Sequence, residues 1–191
     1  MGHTLFCLGD SNTYGYDPRS FWGDRYDKTD RWTGILDGLT EWTVVNAGQN
    51  GRSIPVSRLE TDPLLRQIEA CHPDALLVML GSNDLLSGLS AVETSARMER
   101  FLTQLPNIPT LLIAPPLMAP GAWVTDARLL AESADLPAHY RELARKHTIH
   151  FADASAWGIS LTYDGIHFSE AGHHTFARAI NIILSTLLST E

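Results

Sequence analysis

The chain has 191 residues and only two cysteines, Cys7 and Cys71, too few for a disulfide framework. Both sit in apolar contexts and read as reduced core thiols. Basic residues are also in short supply. Lysine and arginine total 14 against 22 acidic residues, for a formal net charge of −8. With no Lys/Arg-rich run, the chain lacks the electrostatic footprint for gripping a phosphate backbone, so neither nucleic acid nor an anionic membrane is an expected partner. No apolar run approaches the ~20 residues that span a bilayer; Ala75–Leu80 is typical of those present. A secretory signal of ~15–30 residues has no counterpart before the first strand-like run at Thr4, so a cytoplasmic location is expected. Repeats, low-complexity segments and interdomain linkers are missing too, which points to one domain over residues 1–191. With 44% hydrophobic and 19% charged residues, the composition is that of a folded globular chain.

What is present is an alternation. Short apolar runs at Thr4–Leu8, Trp42–Asn46, Ala75–Leu80, Thr110–Ala114 and Ile149–Asp153 predict strands. Between them lies helical spacing: Trp32, Ile35, Leu36 and Leu39 fall at i, i+3, i+4 and i+7. Asp62-Pro63 reads as an N-cap followed by proline at the first helical position, and His72-Pro73 as the stop. Ser90 and Glu93 form a capping-box pattern, and Ser169 is placed to cap a last helix with the stripe His173, Phe176, Ala177, Ile180, Leu184, Leu187. Pro137 is expected to divide a helix around Asp126–Ser133 from one carrying Tyr140, Leu143, Ala144 and His147. Unbroken apolar strands separated by helices predict a parallel sheet covered on both faces, an α/β fold of three α/β/α layers.

Four polar, glycine-bearing turns then fall after strands. They are Gly9-Asp10-Ser11-Asn12, Gly48-Gln49-Asn50-Gly51, Gly81-Ser82-Asn83-Asp84 and Asp164-Gly165-Ile166-His167. The carboxyl ends of strands are where open α/β sheets bind ligands, so the four turns predict one crevice. Taken singly, each is bland: Asn50-Gly51 signals a tight turn, Asn83-Asp84 a helix cap, and Asp164 with His167 a surface pair. Their order and common edge give them meaning.

In order and spacing these turns resemble the four sequence blocks of the SGNH (GDSL-type) hydrolases, serine esterases on a flavodoxin-like fold with a five-stranded parallel sheet. Arg31-Trp32-Thr33-Gly34, the Ala114-Pro115-Pro116-Leu117 turn and the run from Asp164 to Phe168 are most similar to bacterial arylesterases and acetyl esterases. The resemblance implies Ser11 as nucleophile, His167 as base, Asp164 as its partner, and Ser11, Gly51 and Asn83 as oxyanion donors. It implies no metal and no cofactor. Two positions depart from the pattern: Asn12 stands where the family motif has Leu, and Phe168 where many members carry Pro.

The chemistry agrees. A serine hydroxyl attacks only when an imidazole can take its proton, and that imidazole needs an acceptor to fix its tautomer. Asp164 and His167, three residues apart, can meet in one turn. A glycine amide and an asparagine side chain can both point N–H groups at a developing oxyanion.

The expected activity is hydrolysis of small carboxylic esters (aryl, acetyl or short-acyl) through an acyl-enzyme, with acyl transfer to an alcohol as a side reaction. Tyr14, Tyr16, Trp22 and Trp123 are candidate pocket walls. Oligomeric state, including a homo-oligomer, is left open. Two rival readings are a non-catalytic module for an acylated sugar, and a Mg²⁺-dependent phosphatase or receiver built on Asp10 and Asp84. His173-His174 shows no metal-ligand constellation in sequence, and His72, His139, His147 and His150 show no nearby carboxylate partner.

Overall fold

The computed structural model describes residues 2–20 and 22–188, with side chains to residue 186. Five strands alternate with helices: β1 (Thr4–Gly9), β2 (Thr43–Gly48), β3 (Ala75–Met79), β4 (Thr110–Ala114) and β5 (His150–Asp153). All pair in parallel, in the order β2-β1-β3-β4-β5. The five expected strands are all present, β4 at the expected bounds and the others with one or both ends shifted by at most two residues.

Both faces of the sheet are covered, because successive strand residues point opposite ways and the central strands β1, β3 and β4 are apolar on both sides. Leu5 and Cys7 of β1, Leu77 and Met79 of β3, and Leu111 and Ile113 of β4 pack in one core. Trp32 and Leu36 of α2 (Trp32–Leu39) and Phe176, Ala177 and Ile180 of α7 (Glu170–Leu188) close it. Phe6, Leu8, Val78 and Leu112 face the other way. There they meet α3 (Arg58–Cys71), α5 (Ala91–Leu102) and α6 (Ala127–His147) through Ile68, Phe101 and Tyr140. Side chains of this size each contribute roughly 1.5–3 kcal/mol on burial. Leu187, the end of the expected α7 stripe, lies outside the described side chains.

Two helical expectations need correction. Helix α3 begins at Arg58, not after Asp62, because Ser57 and Glu60 form a capping box a turn earlier and leave Pro63 inside the helix. Helix α6 runs unbroken through Pro137, which is buried among the residues that face the sheet. Packing there outweighs the one ladder bond that the proline removes. Two short helices show no hydrophobic stripe in the sequence: α1 (Ser11–Tyr14) and α4 (Ser82–Leu86), each directly after a strand. They are single turns, too short for a hydrophobic period to show.

Candidate active site

The site grows out of those short helices. Asp10 caps α1, its carboxylate accepting from the Asn12 amide at 2.9 Å, and this turns the chain sharply at the end of β1 so that Ser11 opens the helix. Gly48 of the neighbouring strand lets α1 sit that close: a Cβ there would lie 2.1 Å from the Tyr14 nitrogen. Asn46 braces the same turn, donating to the Thr13 carbonyl and the Thr33 hydroxyl, both at 2.7 Å. Trp32 Nε1 donates to the Asn12 carbonyl at 3.0 Å.

After β5 the chain returns to the same edge. Asp164 Oδ1 accepts from the amides of Ile166 and His167, both at 2.9 Å, while Oδ2 accepts from His167 Nδ1 at 2.7 Å. On the other side of the ring, Nε2 lies 2.9 Å from Ser11 Oγ. All three residues are buried. Burial alone would raise the Asp164 pKa, but the His167 ring and the two amides outweigh it and hold the carboxyl at about 2. It is therefore an anion facing Nδ1 at neutral pH.

Asn12 explains its own departure from the family pattern. Its Nδ2 donates to the Ile166 carbonyl at 3.1 Å and its Oδ1 accepts from the Phe168 amide at 2.9 Å. One side chain thus grips the backbone on both sides of His167, which a leucine could not do. Phe168 is fully buried against Phe176.

A cavity of about 240 Å³ opens on this line, bordered by Asp10, Ser11, Asn50, Gly51, Asn83 and Ile166 among others. Gly51 occupies the left-handed region at φ +69°, which favours glycine. Asn83 Nδ2 donates to the Arg52 carbonyl at 3.0 Å, so one amide hydrogen ties down the Gly51 turn and the other is free to meet a ligand.

Of the four aromatic candidates, Tyr16 and Trp123 border this cavity and flank the His167 ring, with centroids 4.8 and 5.2 Å away. Tyr14 instead lies under the Arg25 guanidinium at 4.2 Å, and neither it nor Trp22, which is exposed at the surface, borders the cavity. Asp84 does not pair with Asp10 as the phosphatase reading requires. It is buried, accepting from the Ile54 amide at 2.9 Å and from Arg97 at 3.1 Å. Asp10 faces the cavity alone.

Two histidine expectations are corrected. His147 meets Glu99 at 3.0 Å across α5 and α6, and His139 meets Asp135 at 3.3 Å one turn back. The second pair was within reach of an i, i+4 rule. Sequence reasoning also missed that Asp30, Glu170 and His174 gather with ligand atoms within 4.8 Å of one another, away from the cavity. Glu170 and His174 share a helix face at i, i+4, but Asp30 reaches them only through the fold.

A buried serine, imidazole and carboxylate in a line, beside amide donors at the carboxyl edge of a parallel sheet, define an α/β/α serine-hydrolase scaffold. Residues 7–175 match the GDSL-like lipase/acylhydrolase family, and the chain belongs to it. Membership makes it a serine-type esterase acting on small ester substrates. Similar solved structures include a protein assigned as an arylesterase from Agrobacterium tumefaciens str. C58, 25% identical, with 96% of this chain and 99% of that one covered at a TM-score of 0.84. The native M. smegmatis aryl esterase is 24% identical, with 97% and 99% covered and a TM-score of 0.84. Est24, a carbohydrate acetylesterase from Sinorhizobium meliloti, is 23% identical, with 97% and 99% covered and a TM-score of 0.83. No curated protein matched. Among the described residues, no helix is long and apolar enough to cross a membrane.

Proposed function

We propose that Ser11 is the nucleophile, His167 the general base and acid, and Asp164 the residue that orients and stabilises the imidazolium. The observation that carries this is the buried line from Ser11 Oγ through His167 to Asp164, with links of 2.9 and 2.7 Å. Ser11 Oγ attacks the ester carbonyl as its proton passes to His167 Nε2. The oxyanion is met by the amides of Ser11 and Gly51 and by Asn83 Nδ2. His167 then protonates the departing alcohol, leaving an acyl group on Ser11. Water repeats the sequence, its proton going to His167 and on to Ser11 Oγ as the acid departs. An alcohol in place of that water gives acyl transfer.

The preferred ester carries an acetyl or other short acyl group. The 240 Å³ cavity is below the ~300–1,000 Å³ usual for drug-sized ligands, and Tyr16, Trp123, Leu86 and Ile166 wall it. The printed names of the structural relatives, an aryl esterase and a carbohydrate acetylesterase, point the same way. One catalytic unit over residues 1–191 in the cytoplasm completes the reading, in keeping with two unpaired cysteines.

A fluorophosphonate should label the protein on the peptide that contains Ser11, and Ser11→Ala should lose both label and nearly all p-nitrophenyl acetate turnover while unfolding normally in urea. Labelling at Ser53 or Ser82 instead would overturn the assignment. Failure to label at all would favour a module that only binds acylated sugars.

A further inference from the structure

The mechanism leaves one buried ionisable group in the cavity without a task. Asp10 is 2% exposed yet borders the catalytic cavity together with Ser11, His167 and Gly51. Among the described residues its one side-chain hydrogen bond comes from the Asn12 amide to Oδ1. Among the described residues no ion pair neutralises it. The charges and ionisable groups around it are accounted for from each neighbouring element. Arg52, from the turn after β2, directs its guanidinium hydrogens to the Gly9 and Ala47 carbonyls and to Gln49, so its charge acts on Asp10 through space without a direct hydrogen bond. His167 is already held by Asp164. Asp84, beside β3, is matched by Arg97. The Tyr140 phenol of α6 is pushed well above its ordinary range by burial, then by Asp84 and Asp10, and stays neutral.

Hydrolysis makes an anion in this same space. When water adds to the acyl carbon and the bond to Ser11 Oγ breaks, the proton returns to Ser11 through His167. The acid leaves as a carboxylate, its proton going to solvent. Resting on the reading of Ser11 as nucleophile, we propose that the Asp10 carboxylate acts as an anion repeller in the catalytic cavity, driving out the carboxylate product and selecting against esters whose acyl part is itself negatively charged. A brace alone would not need the charge, since asparagine accepts a cap hydrogen bond as well as aspartate does. Burial lifts the Asp10 carboxyl to about 6, against the Asn12 amide and the charges of His167 and Arg52, so the repulsion fades as pH falls through that value.

The test is acetate binding to wild type and Asp10→Asn between pH 5 and 8, measured by calorimetry and as competitive inhibition of p-nitrophenyl acetate hydrolysis. A unit charge across a cavity of this size, at an effective dielectric near 20, is worth on the order of tenfold or more in affinity. Above pH 7 the variant should bind acetate on the order of tenfold more tightly; at pH 5, where Asp10 is protonated, the two proteins should converge. The protonation of acetate itself is common to both proteins and cancels in the ratio. Neutral acetamide should bind the two proteins alike at every pH, and in wild type alone the acetate-to-acetamide affinity ratio should rise as pH falls through about 6. A ratio of variant to wild-type affinity that stays at one across the range overturns the proposal. Calorimetry needs no turnover, so a failure of the esterase reading in the Ser11→Ala experiment is seen separately from a failure of this one.

Discussion

Replacing Asn12 by leucine, the residue the family motif carries there, keeps the branched shape of the side chain but removes two buried hydrogen bonds. The Ile166 carbonyl loses its donor at 3.1 Å and the Phe168 amide its acceptor at 2.9 Å, both in a buried setting. A buried polar group left without a partner costs roughly 1–3 kcal/mol, and the gain from burying a leucine side chain offsets part of the pair. The net loss should be about 2–4 kcal/mol, a large share of the ~5–15 kcal/mol that holds a typical domain together. With a urea slope of ~1–3 kcal/mol per molar, the midpoint should fall by about 1–2 M. Tryptophan fluorescence can follow this directly, because buried Trp32 donates to the Asn12 carbonyl. Turnover should suffer beyond the stability loss. The two lost bonds bracket His167, and a shift of about 1 Å in a catalytic group can cost ~10²-fold. Under conditions where both proteins are fully folded, kcat should drop and KM change little. A midpoint within 0.2 M of wild type, roughly 0.5 kcal/mol at such slopes, together with full turnover, would refute the bracketing argument.

Two further outcomes are expected. Asn83→Ala should cut turnover by ~10²–10³ with KM little changed, since its second amide hydrogen acts on charge that appears only in the transition state; a rise in KM at constant kcat would make Asn83 a ground-state contact. His173 is fully buried and held neutral: burial first, then His174, His167 and Arg31, depress its pKa from 6.5 to about 3. The unfolded chain therefore binds that proton more readily. Stability from this group is complete above about pH 6.5 and drains as pH falls toward 3, at up to ~1.4 kcal/mol per unit. His173→Phe should be less stable than wild type at pH 7, having lost the acceptor for the Trp32 amide at 3.3 Å, but should lose less between pH 6.5 and 4.5. Equal slopes in urea midpoint against pH would sink that account.

Much of this architecture could be read from residue order. The strands stood out because each is a short, mainly apolar run, and the catalytic turns because each follows a strand with glycine beside a polar residue. Two helix errors begin at proline, a strong local breaker, because Pro63 and Pro137 read as boundaries; a capping box at Ser57 and Glu60 starts α3 a turn earlier, and burial of Pro137 carries α6 through. Asn12 was legible as a departure but not as a clamp, because its partners are 154 and 156 residues away. The same holds for His147 with Glu99, joined across 48 residues. Local pattern cannot report a contact made only by packing.

The wall that carries Trp123 is stitched to the strand-end turn that carries the base. The Ala119, Ala122 and Trp123 amides donate to the carbonyls of Gly165, Tyr163 and Asp164. Reshaping that wall by insertion would drag the imidazole's anchor with it, so the residues from 119 to 124 are a poor place to tailor acyl preference. The segment bearing Tyr16 is fastened differently: it closes on itself through the Tyr16–Arg25 bridge and meets Tyr163 by a single bond to the Pro18 carbonyl at 3.0 Å. Its outer turn, of which residues 17–20 and 22–24 are described, can change length without touching Ser11, His167 or Asp164. Divergence in substrate range, natural or engineered, has its open route there.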